Sequence, residues 1–225
     1  MDTIAAVDAA SLLAGTDLFS GFDPTALADV AQAGEERLLR RNDVIFNAGD
    51  DSNELFVVRS GRVAIANTSP DGRESLLALM EQGDLFGEMP LFDGQGRSAQ
   101  ARALELTEVL AVPYSSVRAL LQERPELLWG VVRMLAMRLR TTDEALADAM
   151  FLDVTGRTAK RLLEMAGDAD EFVLPVTQEE LAGMVGASRE RVNKAIAQFV
   201  RLRWIDQVDR RYRILDRAQI TRRAR

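Results

Sequence analysis

The sequence predicts an α+β chain in three parts. An antiparallel β sandwich or barrel fills residues 1–124, a long helix covers 125–152, and a small helical region with a β hairpin occupies 153–225. Three observations carry this reading. From Glu35 to Val112, short runs of strand-forming residues recur at even spacing between glycine-bearing turns. A single long apolar pattern follows, with its members separated alternately by four and three residues. Then a capping box at Thr177, a glycine at 186 and a second cap at Ser188 mark two short helices joined by a tight turn.

Taken in order, residues 8–31 read as helical and peripheral: Ser11-Leu12-Leu13, Leu18-Phe19, and a second short helix that Asp23 caps with Pro24 in its first turn. The expected strands are Val44–Phe46, Leu55–Val58, Val63–Ile65, Leu76–Leu79, Leu85-Phe86 and one run from Ala103 to Val112. Turns are expected at Asn47–Asp50, Ser60-Gly61, Pro70-Asp71-Gly72 and Gln82-Gly83-Asp84. A short helix over 114–121 is closed by Arg124-Pro125.

Within the long helix, Leu128, Val132, Leu135, Leu139, Thr142, Leu146 and Ala149 form a heptad seam. Such a seam predicts pairing with an identical helix; burial inside the same chain is the other arrangement it permits. Asp153-Val154-Thr155-Gly156-Arg157 is the expected hinge, with Asp153 as a cap and Gly156 as the break, before a helix over about 155–166. A short strand at Phe172–Leu174 leads to a helix from Gln178 through Val185. Ser188 caps the next helix, which shows Arg189, Glu190, Arg191, Asn193 and Lys194 outward and packs back through Ile196, Phe199 and Val200. Trp204-Ile205 to Tyr212–Ile214 reads as a hairpin around Val208-Asp209-Arg210. Helix, glycine turn, helix fits a major-groove reader, but also any small domain with two packed helices.

Composition narrows the function. The chain has no Cys and no His, which removes disulfides, iron–sulfur clusters, thiolate chemistry and the commonest metal ligand and general base. With no Walker-type loop and no paired-carboxylate motif either, no catalytic constellation stands out, and the expectation is not an enzyme. No apolar run approaches the roughly 20 residues that span a bilayer, and no basic segment precedes an apolar one at the N-terminus; the expectation is a soluble, cytoplasmic protein without membrane contact. Charge is unevenly spread. From Asp153 onward there are 15 Lys and Arg against 11 Asp and Glu, and before it 13 against 24. From Ser188 the balance is 12 to 4, with aromatic residues among the bases. An acidic front and a basic tail fit a sensor joined to a nucleic-acid reader.

The most informative stretch is Phe86-Gly87-Glu88-Met89-Pro90-Leu91-Phe92, then Asp93–Gly96, then Arg97-Ser98-Ala99. It offers one carboxylate, one guanidinium and one hydroxyl to a common point. Gly87 admits close backbone approach, Glu88 can accept from sugar hydroxyls, Arg97 can fork onto a phosphate, and the N–H groups of Ser98 and Ala99 can complete an anion-binding concavity. A surface hairpin whose Glu and Arg face water would use the same residues. The whole pattern, however, resembles the phosphate-binding cassette of cyclic-nucleotide-binding domains in the form found in the CRP/FNR family of bacterial transcription factors. Val185-Gly186-Ala187-Ser188-Arg189-Glu190 with Lys194 similarly resembles that family's recognition motif. The likeness runs from about residue 12 to the end. Terminal Arg-Arg-Ala-Arg, scarce Lys and abundant Ala and Arg look most like the actinobacterial branch.

The resemblance implies a jelly-roll cyclic-nucleotide-binding domain, a dimerisation helix and a winged helix-turn-helix. It implies cyclic AMP as effector, held by Gly87, Glu88 (ribose hydroxyl), Met89, Arg97 and Ser98 (phosphate) and Ala99, with Arg138 near the ligand. Thr142 and the other subunit's Asp143 would meet the adenine. Asp143 departs from the usual Ser or Asn; a carboxylate still accepts from an amine but cannot donate to a guanine carbonyl. No haem, metal or cluster is implied. Implied partners are double-stranded DNA, a second copy of the chain and RNA polymerase. Arg189, Glu190 and Lys194 would read TGTGA-type half-sites, with Gln178 and Ser188 on phosphates and Thr177 also at the DNA; Arg191 stands where Thr is usual and adds a phosphate contact. Leu128, Val132, Leu135, Leu139, Leu146 and Ala149 would form the dimer seam. The alternatives are a relative that binds DNA without ligand or answers to another small anion, or a nucleotide-binding module acting through a protein partner.

Overall fold

The computed structural model describes residues 8–69 and 74–225; the turn expected at Pro70-Asp71-Gly72 lies outside them. The chain forms two compact units. The first runs to Asn67 and resumes over Leu77–Leu139; the second takes the stretch between, ending at Leu76, and Arg140–Arg225.

The first unit opens with α1 (Ala9–Ala14) and α2 (Pro24–Gln32). Asp23 caps α2 as expected, its carboxylate accepting from Thr25 N at 3.0 Å and Ala26 N at 3.1 Å. These helices are not peripheral. Leu12, Leu13, Leu18, Phe19, Leu27 and Val30 are buried in the main core against Leu55, Val57, Leu110 and Val112 of the sheet. A sheet face with that many aliphatic residues needs a cover, and the N-terminal helices supply it.

Eight strands follow: β1 (Glu35–Leu39), β2 (Val44–Phe46), β3 (Glu54–Ser60), β4 (Val63–Thr68), β5 (Glu74–Met80), β6 (Leu85–Phe86), β7 (Gln100–Ala103) and β8 (Thr107–Pro113). They form two four-stranded sheets, ordered β1-β8-β3-β6 and β2-β7-β4-β5, the jelly-roll arrangement. β8 lies antiparallel between β1 and β3, and β7 antiparallel between β2 and β4. A second core fills the inside with Phe56, Val58, Val63, Phe86, Ala101, Val109 and Ala111.

The run from Ala103 to Val112 is therefore not one strand. It breaks at Leu104–Leu106 and passes from one sheet to the other. The break is held from the opposite side: Thr107 Oγ1 accepts from Arg62 N at 3.2 Å, and Arg62 Nε meets Glu105 at 2.8 Å. Gly61 makes this possible. Its φ is +80°, and a Cβ there would stand 2.5 Å from Leu106 O.

After β6 comes a short helix, α3 (Met89–Asp93), which the turn expected here did not include. α4 (Tyr114–Glu123) and a 3₁₀ turn (Pro125–Leu127) lead to α5 (Leu128–Phe151). α5 packs on the main core through Val131 and Met134. Its heptad seam faces elsewhere: Leu128, Val132, Leu135, Leu139 and Leu146 are exposed, as is Trp129 at 74%.

In the second unit the helix ends at Phe151, and Asp153 caps α6 (Val154–Ala166) by accepting from Gly156 N at 2.8 Å. Arg223 also bonds that carboxylate. There follow β9 (Glu171–Val173), α7 (Gln178–Val185), α8 (Arg189–Arg201), β10 (Ile205–Val208), β11 (Arg211–Ile214) and an unanticipated α9 (Arg217–Arg223). The wing is a three-stranded sheet, β10-β11-β9, rather than a hairpin alone. The capping box is complete: Thr177 Oγ1 accepts from Glu180 N at 3.2 Å, and Glu180 accepts from Thr177 N at 2.6 Å. Gly186 turns with φ 67°, and Ser188 caps α8. α8 packs through Val192, Ala195, Ile196 and Phe199; Val200, expected among them, is exposed.

Candidate functional site

The cassette is built where β6 ends. Gly87 has φ +77°, and a Cβ on it would stand 2.5 Å from Arg97 Nη1. The residue must therefore be glycine for both backbone and space. Arg97 returns to this point because its own main chain is zipped to the loop after β2: Gly49 N donates to Arg97 O at 2.7 Å, and Arg97 N to Asp50 O at 2.9 Å.

The guanidinium of Arg97 is buried rather than facing water as in a surface hairpin. Nη1 donates to Gly87 O at 2.7 Å and to Tyr114 Oη at 3.1 Å, and Nη2 to Glu54 O at 2.8 Å. The charged plane stacks on Phe46, 4.0 Å from its centroid. Burial pushes its pKa down, and Tyr114 and Glu54 are the first of the groups that draw it back up.

Glu88 is 0% exposed. Its Oε1 accepts from Arg138 Nη1, and Arg138 Nη2 donates to Leu85 O at 2.8 Å. Burial raises the Glu88 pKa, opposed first by the Arg138 charge and then by its own backbone N–H and Arg97.

Two polar atoms here are buried without a partner: Glu88 Oε2, an acceptor, and Arg97 Nε, a donor. Orphaned buried groups are costly and rare in folded proteins. An acceptor for a hydroxyl and a donor for an anionic oxygen suit a ribose phosphate. Ala99 is buried, while Met89 and Ser98 are exposed; the Ser98 hydroxyl lies 3.5 Å from the Met89 sulfur. The residues that sequence reasoning missed are Phe46, Glu54 and Tyr114. Glu54 acts through its carbonyl, which no side-chain pattern reveals. Thr142 and Asp143 lie exposed on the part of α5 that belongs to the second unit.

The second unit shows a basic helix. Arg189, Glu190, Arg191, Asn193 and Lys194 are exposed on α8. Lys194 pairs with Glu190 at 2.7 Å, one turn away, and holds that carboxyl below its usual range. Arg189 is five residues from Lys194, so the two are offset around the axis rather than stacked on one face. Beside α8 lies a cleft of about 310 Å³ lined by Thr177, Gln178, Glu179, Arg189, Gln207 and Arg210 among others. Gln178 donates to Tyr212 Oη at 2.8 Å, and its Oε1 is buried without a partner. Among the described residues there is no cluster of three or more metal-ligating side chains, and no helix is long and apolar enough to cross a membrane.

A jelly roll with an anion-ready cassette, followed by a basic winged helix-turn-helix, defines a class of protein in which a ligand-binding domain is joined to a DNA-binding one. Residues 36–124 match the cyclic nucleotide-binding domain family, and residues 156–223 match the Crp-like helix-turn-helix domain family. The chain is 37% identical over 221 residues to a CRP-like cAMP-activated global transcriptional regulator of Mycobacterium tuberculosis, covering 95% of this chain and 99% of that protein. It is 35% identical over 159 residues to the cAMP-activated global transcriptional regulator CRP of Escherichia coli, covering 68% and 76%. FixK2 from Bradyrhizobium japonicum shares the fold, with a TM-score of 0.76 at 22% identity over 84% of this chain and 96% of that one. This chain belongs to the CRP family: it is a DNA-binding transcriptional regulator with a cyclic-nucleotide-binding domain, not an enzyme.

Proposed function

We propose that the protein is a homodimeric regulator that responds to cyclic AMP and binds palindromic TGTGA-type sites in the cytoplasm. The observation that carries this is the pair of orphaned buried atoms in the cassette. Glu88 Oε2 would accept from the ribose 2′-hydroxyl, and Arg97 Nε would donate to the cyclic phosphate, with Ser98 and the backbone around Ala99 adding to the anion site. The relatives' names, which specify activation by cyclic AMP, support the same ligand. Thr142 and the second copy's Asp143 would meet the adenine.

Residues 1–124 serve as the sensor, 125–152 as the dimer helix and 153–225 as the reader. The exposed seam of α5 supports the dimer, since leaving Leu128, Val132, Leu135, Leu139 and Leu146 in water is costly without a partner. Ligand acts by population shift, favouring the arrangement in which both α8 helices fit successive major grooves. RNA polymerase is the expected further partner. One titration tests this: gel shift on a palindromic site with and without cyclic AMP, beside calorimetry of the nucleotide. The effector reading fails if cyclic AMP neither binds nor alters DNA affinity.

A second reading, DNA binding without ligand or in response to another small anion, is favoured by the inward setting of Arg97. Three of its hydrogens are already on protein acceptors, so most of the guanidinium is held without nucleotide. Equal DNA affinity with and without cyclic AMP would support that reading.

A further inference from the structure

We propose that Tyr114 is a positioning residue for the phosphate contact: its hydroxyl decides which edge of the Arg97 guanidinium is offered to the nucleotide. The inference deepens the cyclic-nucleotide reading and rests on it. Tyr114 is the first residue of α4, directly after β8, and its ring is packed in the main core at 5% exposure. The hydroxyl is thus delivered by a side chain that cannot swing away. It donates to Gly87 O and accepts from Arg97 Nη1 at 3.1 Å, with Ser52 Oγ 3.4 Å off. Burial raises the phenol's pKa, so it stays a neutral donor at pH 7.

A guanidinium has five N–H donors in a rigid plane. Tyr114 and the Gly87 carbonyl together take both hydrogens of Nη1, and Glu54 O takes one from Nη2. What remains is the Nε hydrogen and one Nη2 hydrogen, on the nitrogen that shares the Nε side of the fork. That edge matches two oxygens of a phosphate, and Nε is the atom found buried without a partner. Phe46 fixes the plane by stacking at 4.0 Å; the phenol fixes the rotation within it. Removing the hydroxyl leaves a Nη1 hydrogen without its acceptor, and the group gains by turning to find another.

The test is Tyr114→Phe in the full-length protein, with affinities for cyclic AMP and for the Rp and Sp diastereomers of its phosphorothioate measured by calorimetry. Each diastereomer replaces a different exocyclic oxygen with sulfur, so their affinity ratio reports which oxygen meets the Nε edge. Tyr114→Phe should weaken cyclic AMP about tenfold and bring the Rp/Sp ratio toward one. Unchanged affinity, or equal losses for both diastereomers, overturns the positioning role while leaving the nucleotide reading intact. No binding of cyclic AMP by the unaltered protein overturns both. Should the variant not fold, the Arg97 Nε–H resonance of the unaltered protein, assigned through Arg97→Lys, decides the matter. Cyclic AMP should shift it strongly, and a resonance that ignores the nucleotide overturns the proposal.

Discussion

Arg138 of α5 donates from Nη1 to Oε1 of Glu88, a carboxylate with no exposure to solvent, and from Nη2 to the carbonyl of Leu85 at 2.8 Å. One side chain thus ties the cassette's acid and the end of β6 to the helix that carries the apolar seam. Both partners lie in the first unit. In the proposed complex, a nucleotide that engages Glu88 would reach α5 through this one contact.

That pair has a pH signature. Burial holds the Glu88 pKa above its ordinary value, and the Arg138 charge is the largest influence pulling it back. In Arg138→Leu the carboxyl rises further. A native-state pKa above the unfolded one means the folded protein binds more protons, so stability falls as pH climbs through that window. The variant should be less stable by about 1–3 kcal/mol near neutrality, the cost of an unsatisfied buried acceptor. The deficit should narrow as pH falls through the raised Glu88 pKa, above the ordinary carboxylate range, where the variant's buried carboxyl takes up its proton. Urea unfolding at several pH values checks this; a deficit independent of pH would mean that Glu88 is not the group involved.

Arg97→Ala should cost cyclic-AMP affinity about 1.5–3 kcal/mol, roughly tenfold or more, through loss of the charge-assisted contact. It should also lower stability, because the carbonyls of Gly87 and Glu54 each lose a donor. Arg97→Lys should not restore binding, since an ammonium cannot span these acceptors in a plane. Glu88→Ala should weaken the ribonucleotide more than its 2′-deoxy analogue. Calorimetry with unchanged affinity for Arg97→Ala would sink the cassette assignment.

Leu135→Asp places two like charges across the proposed seam. A monomer with poor DNA binding is expected. Leu135 is 40% exposed in the single chain, so the substitution need not disturb the fold, and loss of dimer would report the interface itself. Sedimentation showing a dimer of normal stability would place the contact elsewhere.

The parts legible in the sequence are those set by local rules. Asp23 before Pro24, the Thr177–Glu180 box, Gly186 and Ser188 each satisfy helix termini from within a few residues, and all appear as expected. The cassette's residues were picked out instead by their resemblance to a known pattern. What they touch was not. Tyr114 reaches Arg97 from seventeen positions away, and Arg138 reaches Glu88 from fifty. No periodicity encodes such a meeting. The split of residues 103–112 was hidden because Leu104 and Leu106 keep the run apolar, although the alternation shifts phase there, from Ala101 and Ala103 to Leu104 and Leu106. Val200 misled because it sits beside Phe199 but one step around the helix. α9 carries its own signal, Asp216 accepting from Gln219 N at 3.1 Å, which the arginine-rich tail obscured.

DNA readout is where α8 can be taken apart residue by residue. Arg189 offers a fork suited to the O6 and N7 edge of guanine, and Glu190 an acceptor for a cytosine amine. In the free chain Glu190 is engaged by Lys194. Both are exposed at about three-quarters of their side-chain area (76% and 75%), so the pair is weak and gives way easily to bases and phosphates. Arg189→Ala should cost about 1–3 kcal/mol on a cognate palindrome and little on random DNA. Arg191, proposed to meet a phosphate, should behave differently. Arg191→Ala should weaken both DNAs alike and flatten the salt dependence by roughly one unit per half-site. Fluorescence anisotropy on cognate and random duplexes over a salt series separates the two. If Arg189→Ala loses affinity equally on both, α8 does not read bases in this register, and the assignment of Arg189, Glu190 and Lys194 fails even though the fold stands.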